Sequence, residues 1–120
     1  MTKVAIADSG VANLASIRSA FETLGAEVIV TTDPAAVSTA SHVVLPGVGS
    51  FSAGMNALRQ TGLDVAVRET VESDKPLLAV CLGMQLLAES SEESPGVDGL
   101  GLIPARVDAL PNNVRVPHLG

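Results

Sequence analysis

Leu77-Leu78-Ala79-Val80-Cys81-Leu82-Gly83-Met84-Gln85 is the stretch on which the fold turns. Leu77 to Val80 is wholly apolar and reads as a strand. From Leu82 to about Ser90 the pattern is helical. A thiol stands at the junction. Ala79 and Gly83, two positions to either side of Cys81, are both small. A strand that turns abruptly into a helix requires this, because bulky flanks would collide. Such a nucleophile elbow lifts its side chain above the C-terminal edge of a sheet, where α/β ligands bind. The start of the helix brings positive partial charge to the sulfur, which favours an ionised nucleophile. The N–H of Leu82 is left to donate to a developing oxyanion. The plainer reading of the same residues is a buried strand end, with Gly83 relieving a tight turn.

Upstream, strands and helices alternate. Val4 to Ala7 reads as a strand closed by Asp8-Ser9-Gly10. Leu14, Ile17, Phe21 and Leu24 are spaced as one face of a helix, and Gly25 follows where a left-handed cap usually sits. Glu27 to Thr31 is a second strand. Asp33-Pro34 reads as an N-cap and first helical residue. His42 to Leu45 is a third strand. Ser50 to about Ser73 is helical, with Gly54 and Gly62 as interruptions, which predicts two helical pieces. This alternation implies βαβ units, right-handed crossovers and a mostly parallel sheet with helices on both faces.

Composition agrees. A chain of 120 residues fits one domain. Hydrophobic residues make up 47% but aromatics only 2%, so the core must be aliphatic, as suits a parallel sheet covered on both sides. The single Cys allows no intramolecular disulfide, and no signal-peptide pattern opens the chain; a reducing, cytoplasmic setting is expected. No apolar stretch approaches the ~20 residues needed to span a bilayer. The formal charge of −6 lacks the basic stripe that attracts phosphate backbones, so neither nucleic acid nor membrane is an expected partner.

The domain reads as a βα core over residues 1–90 followed by a different region over 91–120. Ser91-Glu92-Glu93-Ser94-Pro95-Gly96 is a polar loop. The rest is rich in Gly and Pro with short apolar stretches at Leu100 to Ile103, Arg106 to Leu110 and Val114 to Val116, and reads as antiparallel strands.

Pro46-Gly47-Val48-Gly49 follows the third strand at the same sheet edge as Cys81, and its glycines let backbone N–H groups turn toward a ligand. With no Walker lysine and no GxGxxG, phosphate binding is weakly supported, and an ordinary βα loop is the plainer reading.

Five blocks together carry a resemblance. They are Asp8-Ser9-Gly10-Val11-Ala12-Asn13-Leu14, Leu45-Pro46-Gly47-Val48-Gly49-Ser50-Phe51, Cys81 to Leu87, Ser91-Glu92-Glu93, and Pro117-His118-Leu119-Gly120. The Cys81 block resembles the nucleophile motif of class I (triad) glutamine amidotransferases. The Pro46 block and the final Pro-His-Leu-Gly narrow the resemblance to the glutaminase subunits of imidazole glycerol phosphate synthase. The resemblance implies a flavodoxin-like core and a Cys81 thiolate that attacks the side-chain amide of glutamine. It implies an oxyanion site made by the N–H of Leu82 and a peptide N–H of Val48-Gly49, and it places Gly47, Gln85 and Glu93 near the substrate. A solvated position on the first helical turn is the plainer reading of Gln85, and an exposed loop acid that of Glu93. The resemblance also implies a (β/α)₈-barrel synthase partner that takes the ammonia. No metal or cofactor is implied.

Departures exist. The family usually has Tyr where Ser9 stands, Gly where Ala12 stands, and often Gly where Ala79 stands. The family's catalytic His and Glu lie on a later strand, so by resemblance the chain stops inside the family pattern. His42 opens a strand at the far edge of the sheet, and His118 matches a position that is not the general base. A fold incomplete relative to the family is expected, with an open sheet edge, self-association and no glutaminase activity in the 120-residue chain. Two other functions fit the same residues: another triad amidotransferase subunit or related cysteine hydrolase, and a non-catalytic module that only folds, dimerises or binds a partner.

Overall fold

The predicted alternation becomes a four-stranded parallel sheet in a computed structural model that describes residues 2–10 and 14–117. Val11, Ala12 and Asn13 of the first family block, and His118, Leu119 and Gly120 of the last, lie outside the described residues. Strands β1 (Lys3–Ala7), β2 (Glu27–Thr31), β3 (His42–Gly47) and β4 (Leu77–Cys81) stand in the order β2-β1-β3-β4. The register sets Ala5 opposite Ile29 and Val43, Val44 opposite Leu78, and Gly47 opposite Cys81.

Parallel neighbours need crossovers, and helices supply them. Helix α1 (Leu14–Thr23) joins β1 to β2, α2 (Pro34–Thr39) joins β2 to β3, and α3 (Phe51–Thr61) with α4 (Leu63–Glu72) joins β3 to β4. The strand order reverses after β2, so α1 lies on one face and α2 to α4 on the other. Asp33 caps α2 by accepting from Ala35 N at 3.0 Å, with Pro34 as its first residue, as predicted.

Two layers of core result. The larger packs Ala5, Ala7, Val43 and Leu45 of the sheet against Val37, Met55, Leu58, Leu63 and Val67. The smaller packs Val4, Ile6, Val28 and Val44 against Leu14, Ile17 and Phe21 of α1. Each large aliphatic side chain fully buried in this way stabilises the fold by about 1.5–3 kcal/mol.

Several boundaries differ from the sequence reading. Only Gly62 breaks the long helical run, where φ of +79° ends α3. Gly54 lies inside α3, and its missing side chain lets Leu82 and Leu86 approach; a Cβ there would stand 3.1 Å from Leu86 Cδ1. The helix after Cys81, α5 (Leu82–Leu86), ends well before Ser90.

The expected antiparallel strands near the C-terminus are corrected. Strands β5 (Ser90–Ser91) and β6 (Arg106–Val107) pair in parallel, and among the described residues of this region the antiparallel contact is a single bridge, Ser90 to Asp98. The reason lies in the end of α5, whose last carbonyls need donors. Residues 99–103 wrap around it: Leu100 N donates to Leu86 O at 2.8 Å, Leu102 N to Leu87 O at 2.9 Å, and Gly101 N to Ala88 O at 3.1 Å. A segment whose amides cap a helix cannot also form a ladder. Leu100 is drawn into the core, and the chain returns beside Ser90 running the same way.

β4 is an edge strand. Leu78, in register with Val44, points toward the α1 face, but α1 packs over β1 and β2 and leaves Leu78 52% exposed. A wholly apolar edge strand without a charge is a template for pairing. The 120-residue chain is expected to self-associate through it. Leu78→Lys should shift the sedimentation profile toward monomer; an unchanged profile would assign the association to another surface.

Candidate active site

The C-terminal ends of β3 and β4 converge on one short stretch of sheet edge, with Gly47 and Cys81 directly opposite each other. Cys81 ends β4 and precedes α5 with φ of +55° and ψ of −124°. A side-chain-bearing residue held in this region carries about 1–3 kcal/mol of strain, which the surroundings must impose. They do so through α5, which folds tightly back on β3. Leu82 and Leu86 are buried in the core. Gly83 lies so close to β3 that a Cβ would overlap the Leu45 carbonyl, with the Leu45 carbon at 2.7 Å. The thiol is driven outward and is exposed. This is the elbow read from Ala79, Cys81 and Gly83.

Gly47 is buried, and a Cβ there would meet Leu82 Cβ and Gly83 N, both at 3.1 Å. The loop that follows, Val48-Gly49-Ser50, is therefore held beside the start of α5. Val48 and Gly49 are both exposed, and Gly49 has φ of +100°. From the turn after β1, Ser9 reaches the end of β3 just before this loop: its buried hydroxyl donates to Pro46 O at 3.4 Å. The strand order reverses between β1 and β3, so this contact sits at the crevice where open α/β sheets bind ligands.

The predicted residues fall into two groups around the elbow. Cys81, Gly47 and Val48 line a cavity of about 200 Å³ on the α1 side, completed by Ser16, Ile17, Pro46 and Val80. Its walls are almost wholly apolar. Gln85 and Glu93 line a second cavity of about 300 Å³, with Ser91, Glu92, Val107, Asp108 and Ala109. That one is acidic, but its carboxylates are engaged. Glu92 Oε2 accepts from Ala109 N at 2.7 Å, Glu93 Oε1 from Phe51 N at 3.3 Å, and Asp108 Oδ1 from Arg106 Nε at 2.6 Å. Cys81 does not line the larger cavity. Gly49 and Leu82 line neither.

His42 begins β3, five residues before Gly47, which puts it roughly 16 Å along the strand from the thiol. Its Nδ1 lies 3.0 Å from Ser41 Oγ. Among the described residues no histidine stands beside Cys81. Sequence reasoning gave no site role to Ser94, Ser16, Ile17 or Val80; Val80 adjoins Cys81 on β4, whereas Ser94, Ser16 and Ile17 carry no local signal because they are brought near by long-range packing.

Comparison with known proteins places this geometry in a family. A model of the CobB/CobQ-like glutamine amidotransferase domain matches residues 7–116. The chain belongs to the glutamine amidotransferase family. Among curated relatives, imidazole glycerol phosphate synthase subunit HisH of Moorella thermoacetica is 48% identical over 120 residues, covering 100% of this chain and 57% of that protein. The same subunit of Methanopyrus kandleri is 52% identical over 118 residues, covering 98% of this chain and 58% of that protein. The chain thus spans between half and two thirds of the length of these relatives, whose names agree with the resemblance read from the five blocks. A crystal structure of a glutamine amidotransferase superposes with a TM-score of 0.74 at 23% identity, over 88% of this chain and 55% of that one. At that identity the likeness speaks for the fold alone, and it agrees with the class I amidotransferase architecture.

Gly83→Ala should destabilise the fold by about 3 kcal/mol, at the upper end for an added methyl, since it meets backbone, which cannot step aside as a side chain would. Urea denaturation measures this; a loss below ~1 kcal/mol would mean that α5 does not lie against β3 as described.

Proposed function

We propose that this chain forms the nucleophile-bearing part of a glutaminase that hydrolyses glutamine to glutamate and ammonia, with the ammonia passed to a synthase partner that makes imidazole glycerol phosphate in histidine biosynthesis. The observation that carries the reading is the exposed Cys81 thiol, at φ of +55° and directly across the sheet from Gly47. The high identity to relatives named as imidazole glycerol phosphate synthase subunits supports the substrate and the pathway.

The chemistry follows acyl transfer. Cys81 Sγ, as thiolate, attacks the side-chain amide carbon of glutamine. A C–S bond forms, and the carbonyl π electrons move to oxygen. Leu82 N–H and a peptide N–H of the Val48-Gly49 segment would stabilise that oxyanion, and donors of this kind contribute about 2.7–4 kcal/mol each. Collapse breaks the C–N bond, and the nitrogen takes a proton to leave as ammonia. Water then attacks the thioester carbon, the C–S bond breaks, and glutamate departs as the thiol is restored. Gly47 supports the reacting end of the substrate. Gln85 and Glu93, which share a cavity next to the elbow, would hold its amino-acid end.

Both proton transfers need a base. No candidate adjoins Cys81 among the described residues, and the family's His and Glu correspond to none of the residues assigned roles here. The partner that receives ammonia is, by resemblance, a (β/α)₈-barrel synthase subunit. A cytoplasmic setting fits the free thiol; among the described residues no helix is long and apolar enough to cross a membrane.

The test is direct. A glutamine analogue that alkylates thiols should label Cys81 in the full-length subunit bound to its synthase, and Cys81→Ser should lower glutamine turnover by at least ~10³-fold. An active complex with unlabelled Cys81 would overturn the nucleophile assignment. The purified 120-residue chain should release no glutamate; release that Cys81→Ser abolishes would reveal a base within these residues.

A further inference from the structure

The first turn of α3 is capped from a distance. Ser50 Oγ accepts from Ala53 N at 3.2 Å, and Ser50 O from Gly54 N at 3.0 Å. The two amides before these are held by residues more than forty positions later in the chain. Phe51 N donates to Glu93 Oε1 at 3.3 Å, and Ser52 N to Ser94 Oγ at 3.2 Å. The N–H groups of Phe51, Ser52 and Ala53, which the helix itself leaves without partners, are therefore all satisfied, and the Ser50 carbonyl accepts the first intrahelical bond. Ser94 is 8% exposed, and its own N–H donates to Ser91 O at 3.1 Å, so its hydroxyl is presented by a closed turn. The turn is itself anchored. Glu92 N donates to Val107 O at 2.8 Å, and Glu93 N to Ser91 Oγ at 3.3 Å.

Phe51 follows directly on Val48-Gly49-Ser50. Whatever fixes the first amides of α3 also fixes the end of that loop, whose other end is fixed by the pairing of Gly47 with Cys81. We propose that Ser94, with the Glu93 carboxylate beside it, is a positioning residue that holds the Val48-Gly49 peptide at the height of the Cys81 thiol by clamping the start of α3. The inference rests on the glutaminase reading for its catalytic consequence, though the clamp itself does not. It gives the 91–96 loop a part in the reaction that does not require contact with the reacting atoms. The neighbours differ in one respect: Glu93 both borders the acidic cavity and accepts from the helix start, whereas Ser94 does not line that cavity and serves the helix alone.

Amide hydrogen exchange on the chain and steady-state kinetics on the full-length subunit with its synthase test this together. Ser94→Ala should speed exchange at Ser52 by about fivefold or more, with Phe51 and Ala53 following, while Ile6 and Val44 in the sheet stay protected. Ser94→Thr, which keeps a hydroxyl, should restore protection. With glutamine, Ser94→Ala should lower kcat by about fivefold or more at a KM within twofold of wild type, and Ser94→Thr should recover kcat. Should Ser94→Ala fail to fold, the exposed Glu93 provides a second route. Glu93→Ala should speed exchange at Phe51, and Glu93→Gln, which retains an acceptor oxygen, should not. Unchanged exchange at Ser52 in folded Ser94→Ala, or a loss confined to KM, would overturn the proposal. A wild-type complex that released no glutamate would defeat the glutaminase reading alone, because the exchange pattern would still decide the clamp.

Discussion

The carbonyl of Leu45 and the α-carbon of Gly83 lie against each other with no space for a side chain between them. That contact brings α5 down onto β3 and forces Cys81 to a positive φ of +55° as the chain leaves β4. The strain is not a defect of packing but its consequence. Leu82 and Leu86 are buried only if α5 turns at once, and their burial offsets the roughly 1–3 kcal/mol held at Cys81. Relax the contact and the thiol loses its outward aim, Gly47 loses its neighbour, and the core loses part of one wall.

The same geometry divides the space around the thiol. On the α1 side the walls are Ile17, Pro46, Val48 and Val80, and a molecule there would meet almost no polar group. On the other side Gln85, Glu92, Glu93 and Asp108, with Val107 and Ala109, surround a larger space of mixed, acidic character. The polar side suits recognition of charged groups, and the apolar side offers a neutral molecule no competing partner.

Residues distant in sequence unite these parts. Ser9 ties the turn after β1 to Pro46, Glu93 and Ser94 hold the start of α3, and Leu100 to Ile103 cover the end of α5. Each contact satisfies a backbone group that the local fold leaves unpaired. Ser9 makes its link with a small hydroxyl from within a buried site.

Local chemistry made much of this legible in the residues alone. Short apolar runs closed by turn residues marked four strands, and a three-and-four spacing marked a helix between them, since strands covered on both faces are apolar throughout while a helix buries one face. Asp33-Pro34 announced a helix start through its cap. Ala79, Cys81 and Gly83 announced the elbow, because a turn that sharp tolerates only small flanks. What tertiary structure alone decided depends on partners far along the chain. Gly54 was read as a break but serves as a seat for Leu86, and Leu100 to Ile103 was read as a strand but wraps a helix end. Nothing within Ser91-Glu92-Glu93-Ser94 distinguishes a solvated loop from a clamp. That distinction exists only once α3 presents unpaired amides to it, and so Cys81 was visible in the sequence while the loop that holds its neighbourhood in place was not.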